Sequence, residues 1–244
     1  MRHIVPDVSL SGVDRRRKFE RREKWDRKVE NEIFDHSTML VLSKLMSDGF
    51  FDYVDFPIAS GKESRVFRAR KGRKNVAIKI YPTKTFKKMS EYIDGDPRFK
   101  GVKGREMVFT WARKEFTNLT EIRKAAVRAP LPITVRKNVL VMGYIGSEIR
   151  PAPSLKNYPM DADQAEVFFH RVMGYVRKMY AAGIVHGDLS EYNILVWRGP
   201  VIIDVGQAVS VKHPRAQEFL KRDIYNIAKF FSRLIHIGDG ELEI

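Results

Sequence analysis

The chain has 244 residues, with 45 Lys+Arg against 30 Asp+Glu, a formal net charge of +15, a pI near 9.9 and no cysteine. Lack of cysteine excludes disulfides, thiolate metal sites and thiol catalysis; no apolar run approaches the ~18 residues of a membrane span, and the basic, acid-containing start is unlike a signal peptide, so a soluble cytoplasmic protein is expected. The length suits one sizeable domain or two small lobes around a cleft, and the cationic excess predicts attraction to polyanions such as nucleic acid, beside the plainer reading of a basic solvated surface.

Residues 1–14 read as a poorly ordered arm, and "RRRKFERREKWDRK" over 15–28 as an exposed, charge-laced helix and a candidate RNA-facing surface. Ile33, Met39, Leu40, Leu42, Leu45 and Met46 then form a helical stripe, with Gly49 as the stop. Over 52–81 the pattern turns to β-formers: Val66-Phe67 and Val76 to Tyr81 are expected strands, and "KGRKN" a hairpin turn between them. From Pro82 to Gly104 the chain is charged and punctuated by glycine and proline, which predicts a long mobile loop. A helix is expected from Arg105 to Arg128, then a strand, a turn at Lys137-Asn138 and a second strand from Val139 to Tyr144. After the proline-rich "RPAPSLKNYP", a helix begins near Asp161, places Val167, Phe168, Val172, Val176 and Met179 toward a core, and stops at Gly183; "PRAQEFLKRDIYNIAKFFSRLIHIG" is helical again. Strands come mainly first and helices later, so the expected class is α+β with two lobes. The expected divisions are an N-terminal arm and helices over 1–50, a first lobe over 51–145 and a second over 146–244.

Chemistry concentrates in "HGDLSEYNIL", His186 to Leu195, and "IDVG", Ile203 to Gly206. Asparagine and aspartate oxygens at such spacing suit Mg²⁺ held against a triphosphate, with the first aspartate free to orient a nucleophile. Each companion motif is ambiguous alone. "ASGKES", Ala59 to Ser64, is either a flexible turn or a phosphate loop, and its spacing is not that of a Walker A loop. Lys79 in "VAIK" reads alone as an edge residue facing water, Glu115 in "RKEF" as a surface helix charge, and Asp188 as a helix cap. In this order, however, they match the protein kinase pattern of loop, strand lysine, helix glutamate, H-x-D-L-x-x-x-N and D-x-G. Phosphoryl transfer requires positioned phosphates and neutralised charge more than covalent chemistry. Lys79 would then contact the α- and β-phosphates with Glu115 holding its ammonium. Asn193 and Asp204 would bind the metal, Asp188 would take or orient the hydroxyl proton, and backbone N–H groups from Ser60, Gly61, Lys62, Glu63 and Ser64 would cradle the phosphates.

"SGKESRVF", "RKEFTNL", "LVMGYIG", "HGDLSEYNIL", "IIDVGQAV" and "FLKRDIYNI" together resemble the RIO family of atypical protein kinases, and "VENEIFDHSTMLVLSKL" its first subfamily; the match covers roughly residues 25–235. The resemblance implies a bilobal kinase fold with a truncated C-terminal lobe and extra N-terminal helices, binding ATP with Mg²⁺ or Mn²⁺. It implies a gatekeeper and hinge strand over Val139 to Ile145, with Met142 as gatekeeper, adenine near Tyr144 and Ile145, and Val66 among the nucleotide contacts. The mobile loop would carry serine autophosphorylation, Ser90 being its serine. Asp223 would anchor the catalytic-loop backbone. No "APE" motif follows Asp204, and the short remaining chain leaves little for a peptide platform, so transfer to water, through a phosphoaspartate at Asp204, stands beside transfer to serine. The implied partner is the small ribosomal subunit precursor, its rRNA and proteins. A small-molecule phosphotransferase of the aminoglycoside-kinase type shares the H-G-D-x-x-x-x-N pattern and is the alternative, though it leaves the N-terminal helices and "SGKES" unexplained.

Overall fold

A computed structural model describes residues 35–61, 63–83 and 90–244 of the chain. The expected arm and basic helix within 1–28, and Lys62 of the candidate phosphate loop, lie outside these residues. Helix α1, His36–Ser47, starts where the Asp35 carboxylate accepts the Thr38 N–H at 2.7 Å, which satisfies a donor that the first turn cannot pair internally. It stops as expected at Gly49, φ +75°, where the Gly49 and Phe50 N–H groups return to the Met46 and Leu45 carbonyls at 2.9 and 3.1 Å. Its buried face is Thr38, Val41, Leu42 and Leu45. Met39, Leu40 and Met46, expected in the apolar stripe, are exposed instead. One narrow i, i+3, i+4, i+7 seam meets the neighbouring sheet, and those three residues fall off it.

Five antiparallel strands, β1 Tyr53–Ser60, β2 Arg65–Lys71, β3 Lys74–Ile80, β4 Pro132–Arg136 and β5 Val139–Gly143, form one sheet in the order β1-β2-β3-β5-β4. Strand β1 lies in the β-forming stretch 52–81 but was not among the strands singled out there, and Pro57 sits in its middle. The proline is tolerated because β1 is an edge strand, and its register slips on both sides of Pro57. The period of two divides the inner strands cleanly. Val76, Ile78, Ile80, Val139 and Val141 pack with Val41, Leu42, Leu45 and Phe51 on one face. Ala77, Tyr81, Leu140 and Met142 join the larger core on the other, and Lys79, between Ile78 and Ile80, shares that second face.

The stretch expected as a long mobile loop contains ordered structure from Ser90 onward. A helical turn α2, Ser90–Ile93, and a 3₁₀ turn, Pro97–Phe99, bury Tyr92, Ile93 and Phe99. Tyr92 stacks 5.1 Å from the Phe219 ring, and Glu91 pairs with Arg215 at 2.9 Å. Glycine and proline signals reveal turns but not the aromatic anchors that fasten them. Helix α3 is Arg105–Lys124 and α4 is Ala162–Ala181, the latter capped by Asp161 accepting the Gln164 N–H at 2.8 Å. Phe168, Val172, Val176 and Met179 of α4 are buried as expected, whereas Val167 lies beside that face and is exposed. Short strands β6 Ile184–Val185, β7 Ile194–Val196, β8 Pro200–Ile202 and β9 Val209–Ser210 pair as β6–β9 and β7–β8, and α5, Ala216–Phe231, follows. The architecture is α+β, a sheet-based first half and a helix-based second half with the H-G-D and D-x-G motifs in the loops of the second. Among the described residues no helix is long and apolar enough to cross a membrane.

Candidate active site

Lys79 faces the cleft because of its place in the β3 alternation, and it is only 4% exposed. Its ammonium is not an edge charge: Nζ donates to Glu115 Oε1 at 2.9 Å and to Asp204 Oδ1 at 2.7 Å. Burial pulls the Lys79 pKa down, but Asp204 and then Glu115 outweigh it, and the amine is held cationic well above its ordinary value. Glu115 is fully buried on α3, which lifts its carboxyl, to about 7, against the pull of Lys79. Among the described residues, its Oε2 has no hydrogen-bond partner. Partial withdrawal from water raises Asp204 too, yet Lys79 prevails and keeps this carboxyl below its usual range. The Asp204 side chain remains 48% exposed to the cleft.

The D-x-G loop owes its shape to close packing. Asp204 adopts a left-handed backbone, φ +59°. A Cβ on Gly206 would meet Trp111 Nε1 at 2.9 Å and Glu115 Oε2 at 3.3 Å, so only glycine lets α3 come this near. One turn after Glu115, Asn118 donates from Nδ2 to the Val205 carbonyl at 2.8 Å. The same helix therefore orients the ion pair and the D-x-G loop.

The H-G-D loop is held from several sides. Asp223 on α5 accepts the Gly187 and Leu189 N–H groups, both at 2.8 Å, the anchoring expected of it. Gly187, φ +80°, has Gln207 O only 3.2 Å from where a Cβ would sit. His186 is fully buried, which drives its pKa down to about 4 and keeps the ring neutral. Its Nε2 lies 3.1 Å from the Ile203 carbonyl, which can only accept, so Nε2 carries the hydrogen and Nδ1 accepts the Asp188 N–H at 3.3 Å. Arg222 donates to the Gly187 carbonyl and, at 2.9 Å, to the Tyr92 hydroxyl. Asn193 donates from Nδ2 to Asp188 O at 2.7 Å and Oδ2 at 3.1 Å. Burial and the Asp204 charge push the Asp188 carboxyl above its ordinary range despite Asn193.

The nucleotide candidates divide into two groups. Val66 lies directly opposite Lys79 across the β2–β3 ladder, and Met142 opposite Ala77 across β3–β5, so all share the cleft-facing side. Tyr144 and Ile145 follow β5, and the Ile145 carbonyl already accepts the Ala152 N–H at 3.0 Å. Ser60 and Gly61 are exposed at the sheet edge, Ser64 is half-buried, and Gly61 N–H reaches Ser64 O at 3.0 Å. Burial and then Asp204 push the Glu63 carboxyl up, so this side chain feels the field of the cleft. Ser90 begins the helical turn α2.

With Asn193 Nδ2 engaged by Asp188, the side-chain oxygen of Asn193 and the open carboxylate of Asp204 are the donors that fit Mg²⁺ or Mn²⁺, both hard-oxygen cations. Among the described residues, no three His, Cys, Asp or Glu are grouped to hold a metal unaided. That suits a cation which shares its coordination with substrate phosphates.

A RIO domain model matches residues 65–239. The chain belongs to the RIO family. The RIO-type serine/threonine-protein kinase Rio1 of Haloferax volcanii is 44% identical over 221 residues, covering 88% of this chain and 75% of that protein. Its counterpart in Thermoplasma acidophilum is 48% identical over 172 residues, 69% of this chain and 90% of that one. Human serine/threonine-protein kinase RIO1 is 40% identical over 87% of this chain, which spans only 39% of the human protein. Among solved structures, the Rio2 kinase-ADP/Mg²⁺-phosphoaspartate complex of Chaetomium thermophilum superposes with TM-score 0.65 at 22% identity, covering 80% of this chain and 60% of that one. The fold is thus protein-kinase-like, and this RIO chain is of the serine/threonine kinase class. Asn118, Tyr92 and Arg222 were not singled out from the sequence, and His186 was noted only as the start of the H-G-D motif. Asn118 and Arg222 had a signal, one turn from Glu115 and adjacent to Asp223; Tyr92 had none.

Proposed function

We propose that this RIO kinase moves the γ-phosphate of ATP to a serine hydroxyl, its own included, or to water, and that it does so on a small ribosomal subunit precursor. The observation that carries the phosphotransfer reading is the convergence of Lys79, Glu115 and Asp204 in one ion-pair network beside Asp188 and Asn193. Val66 and Met142 would flank adenine, whose polar edge would meet the backbone at Tyr144 and Ile145. The backbone of Ser60 to Ser64 would close over the phosphates. Lys79 would exchange its bond to Asp204 for the α- and β-phosphates while Glu115 keeps it in place. Mg²⁺ or Mn²⁺ on Asn193 and Asp204 would neutralise phosphate charge. Asp188, raised in pKa, would accept the proton of the attacking hydroxyl.

Transfer to water has its own support in the open, ionised carboxylate of Asp204, and the superposing Rio2 structure carries a phosphoaspartate. In that route an Asp204 oxygen bonds to the γ-phosphorus, the bond to ADP breaks, and water then releases inorganic phosphate. The net charge of +15 supports a polyanionic partner. Family membership favours these readings over the aminoglycoside-kinase alternative.

The test follows γ-labelled ATP with purified protein, Mg²⁺ and small-subunit precursors. Asp188→Ala should lower transfer about 10³-fold while nucleotide binding survives. Label on serine that vanishes in this variant supports the kinase; particle-dependent release of phosphate without stable phosphoserine supports the hydrolytic switch. Equal turnover by Asp188→Ala overturns its role as base.

A further inference from the structure

A cavity of about 1080 Å³ lies outside the ATP cleft, bounded by the segment after Ile145, helix α4 and the β7–β8 turn. None of the candidate nucleotide, metal or catalytic residues lines it. Its apolar surfaces include Phe168, Tyr158 and the exposed indole of Trp197, and its cations are Arg150, Arg171 and Arg198, all exposed. Among the described residues, none of these three arginines forms an ion pair with a carboxylate.

The β7–β8 turn is built so that cations crowd it. Arg128 donates to the Trp197 carbonyl at 2.8 Å and the Arg198 carbonyl at 3.0 Å, which pins the hairpin. At Gly199 a Cβ would meet Arg171 Nη1 at 2.6 Å and Arg128 Nη1 at 3.1 Å, so two guanidinium groups converge on one point. Arg128 is answered by the Trp197 and Arg198 carbonyls, whereas Arg171 meets no carboxylate among the described residues, so a phosphate beside it would offset the repulsion between the two guanidinium groups. Phosphates satisfy guanidinium groups, and flat bases satisfy an exposed indole; a duplex hides its base faces, whereas a single strand offers them. An acidic peptide would answer the arginines but leave the exposed indole of Trp197 without a flat partner; one side of Tyr158 is already taken by Phe168, 6.0 Å between ring centres.

We propose that this groove binds single-stranded RNA, with bases stacked on Trp197 and Tyr158 and phosphates on Arg150, Arg171 and Arg198. The choice of RNA over DNA rests on the proposed ribosomal role; the site itself stands on the groove.

The test measures binding of a fluorescent twelve-nucleotide RNA to the full chain across a salt series, with tryptophan emission followed in parallel. Trp197→Ala should weaken binding about 5- to 100-fold, and Trp197→Phe should abolish the quenching of tryptophan emission. Arg171→Gln with Arg198→Gln should reduce the slope of log K against log salt by about 1.4. ADP affinity, measured on the same variants, should not change, which separates failure here from failure of the ATP reading. Wild-type RNA affinity in all these variants, as binding through residues 15–28 would give, overturns the proposal. So does a preference for a DNA strand of the same sequence, or equally effective competition by polyglutamate.

Discussion

The two loops that would meet ATP are held in opposite ways. The H-G-D loop is fastened by Asp223, His186, Asn193 and Arg222, each bonding its backbone or its aspartate. The "SGKES" loop sits at the sheet edge, its Ser60 and Gly61 exposed; among the described residues, Gly61 N–H bonds to Ser64 O, Arg65 Nη1 donates to the Ser60 hydroxyl and Glu63 hydrogen-bonds with Gln207. The H-G-D loop is therefore organised without substrate, whereas the proposed phosphate loop would gain contacts from a nucleotide. Catalytic geometry has to be prepaid by the fold, because transition-state charge forms too briefly for the loop to reorganise around it.

The largest effect should come from cutting the anchor. Asp223 is 1% exposed, and burial lifts its carboxyl to about 7 against two N–H donors. Asp223→Ala orphans the buried Gly187 and Leu189 N–H groups and should cost about 2–5 kcal/mol in urea denaturation; a loss below 1 kcal/mol would show that the loop is not held this way.

Acid should withdraw the His186 contribution to the same loop, while the raised Asp223 carboxyl pulls the other way as pH falls below about 7. The unfolded His186 imidazole takes its proton near the ordinary 6.5, whereas the buried ring resists until about 4. The unfolded state then binds more protons, so this contribution is intact above 6.5 and is lost as pH falls toward about 4, roughly 3 kcal/mol in all. His186→Gln should lack this part of the pH dependence in melts across that window; an unchanged profile would assign the acid sensitivity elsewhere.

The smallest effect on stability should be at the phosphate loop. A Cβ on Gly61 would meet only Ser64 O, at an ordinary 3.6 Å. Gly61→Ala should alter stability by less than about 0.5 kcal/mol while raising KM for ATP. A large destabilisation would erase the contrast between the loops.

Much of the site was legible because its residues lie in short ordered motifs, and the strand–turn–strand around "KGRKN" was legible from alternation. Lys79 reads alone as an edge charge, and only the order of the kinase motifs paired it with Glu115, as the structure has it. Its second bond, to Asp204, depends on how α3 and the D-x-G loop come together at β3. Met39, Leu40 and Val167 misled for the related reason that a helix displays more apolar residues than one seam can bury. Ordered turns between Ser90 and Phe99 were hidden because their anchors, Phe219 and Arg215, are remote in sequence.

By itself the sequence determined the motif order, most of the element order and the candidate oxygen donors for a metal, because these depend on residue type and local spacing. Tertiary structure decided which further charges meet: that Lys79, paired with Glu115, also joins Asp204, that His186 stays neutral under the Asp188 backbone, and that Arg128 and Arg171 converge at Gly199. Ion pairing, desolvation and close backbone approach depend on distances between segments far apart in the chain, and those distances exist only once the cores have formed.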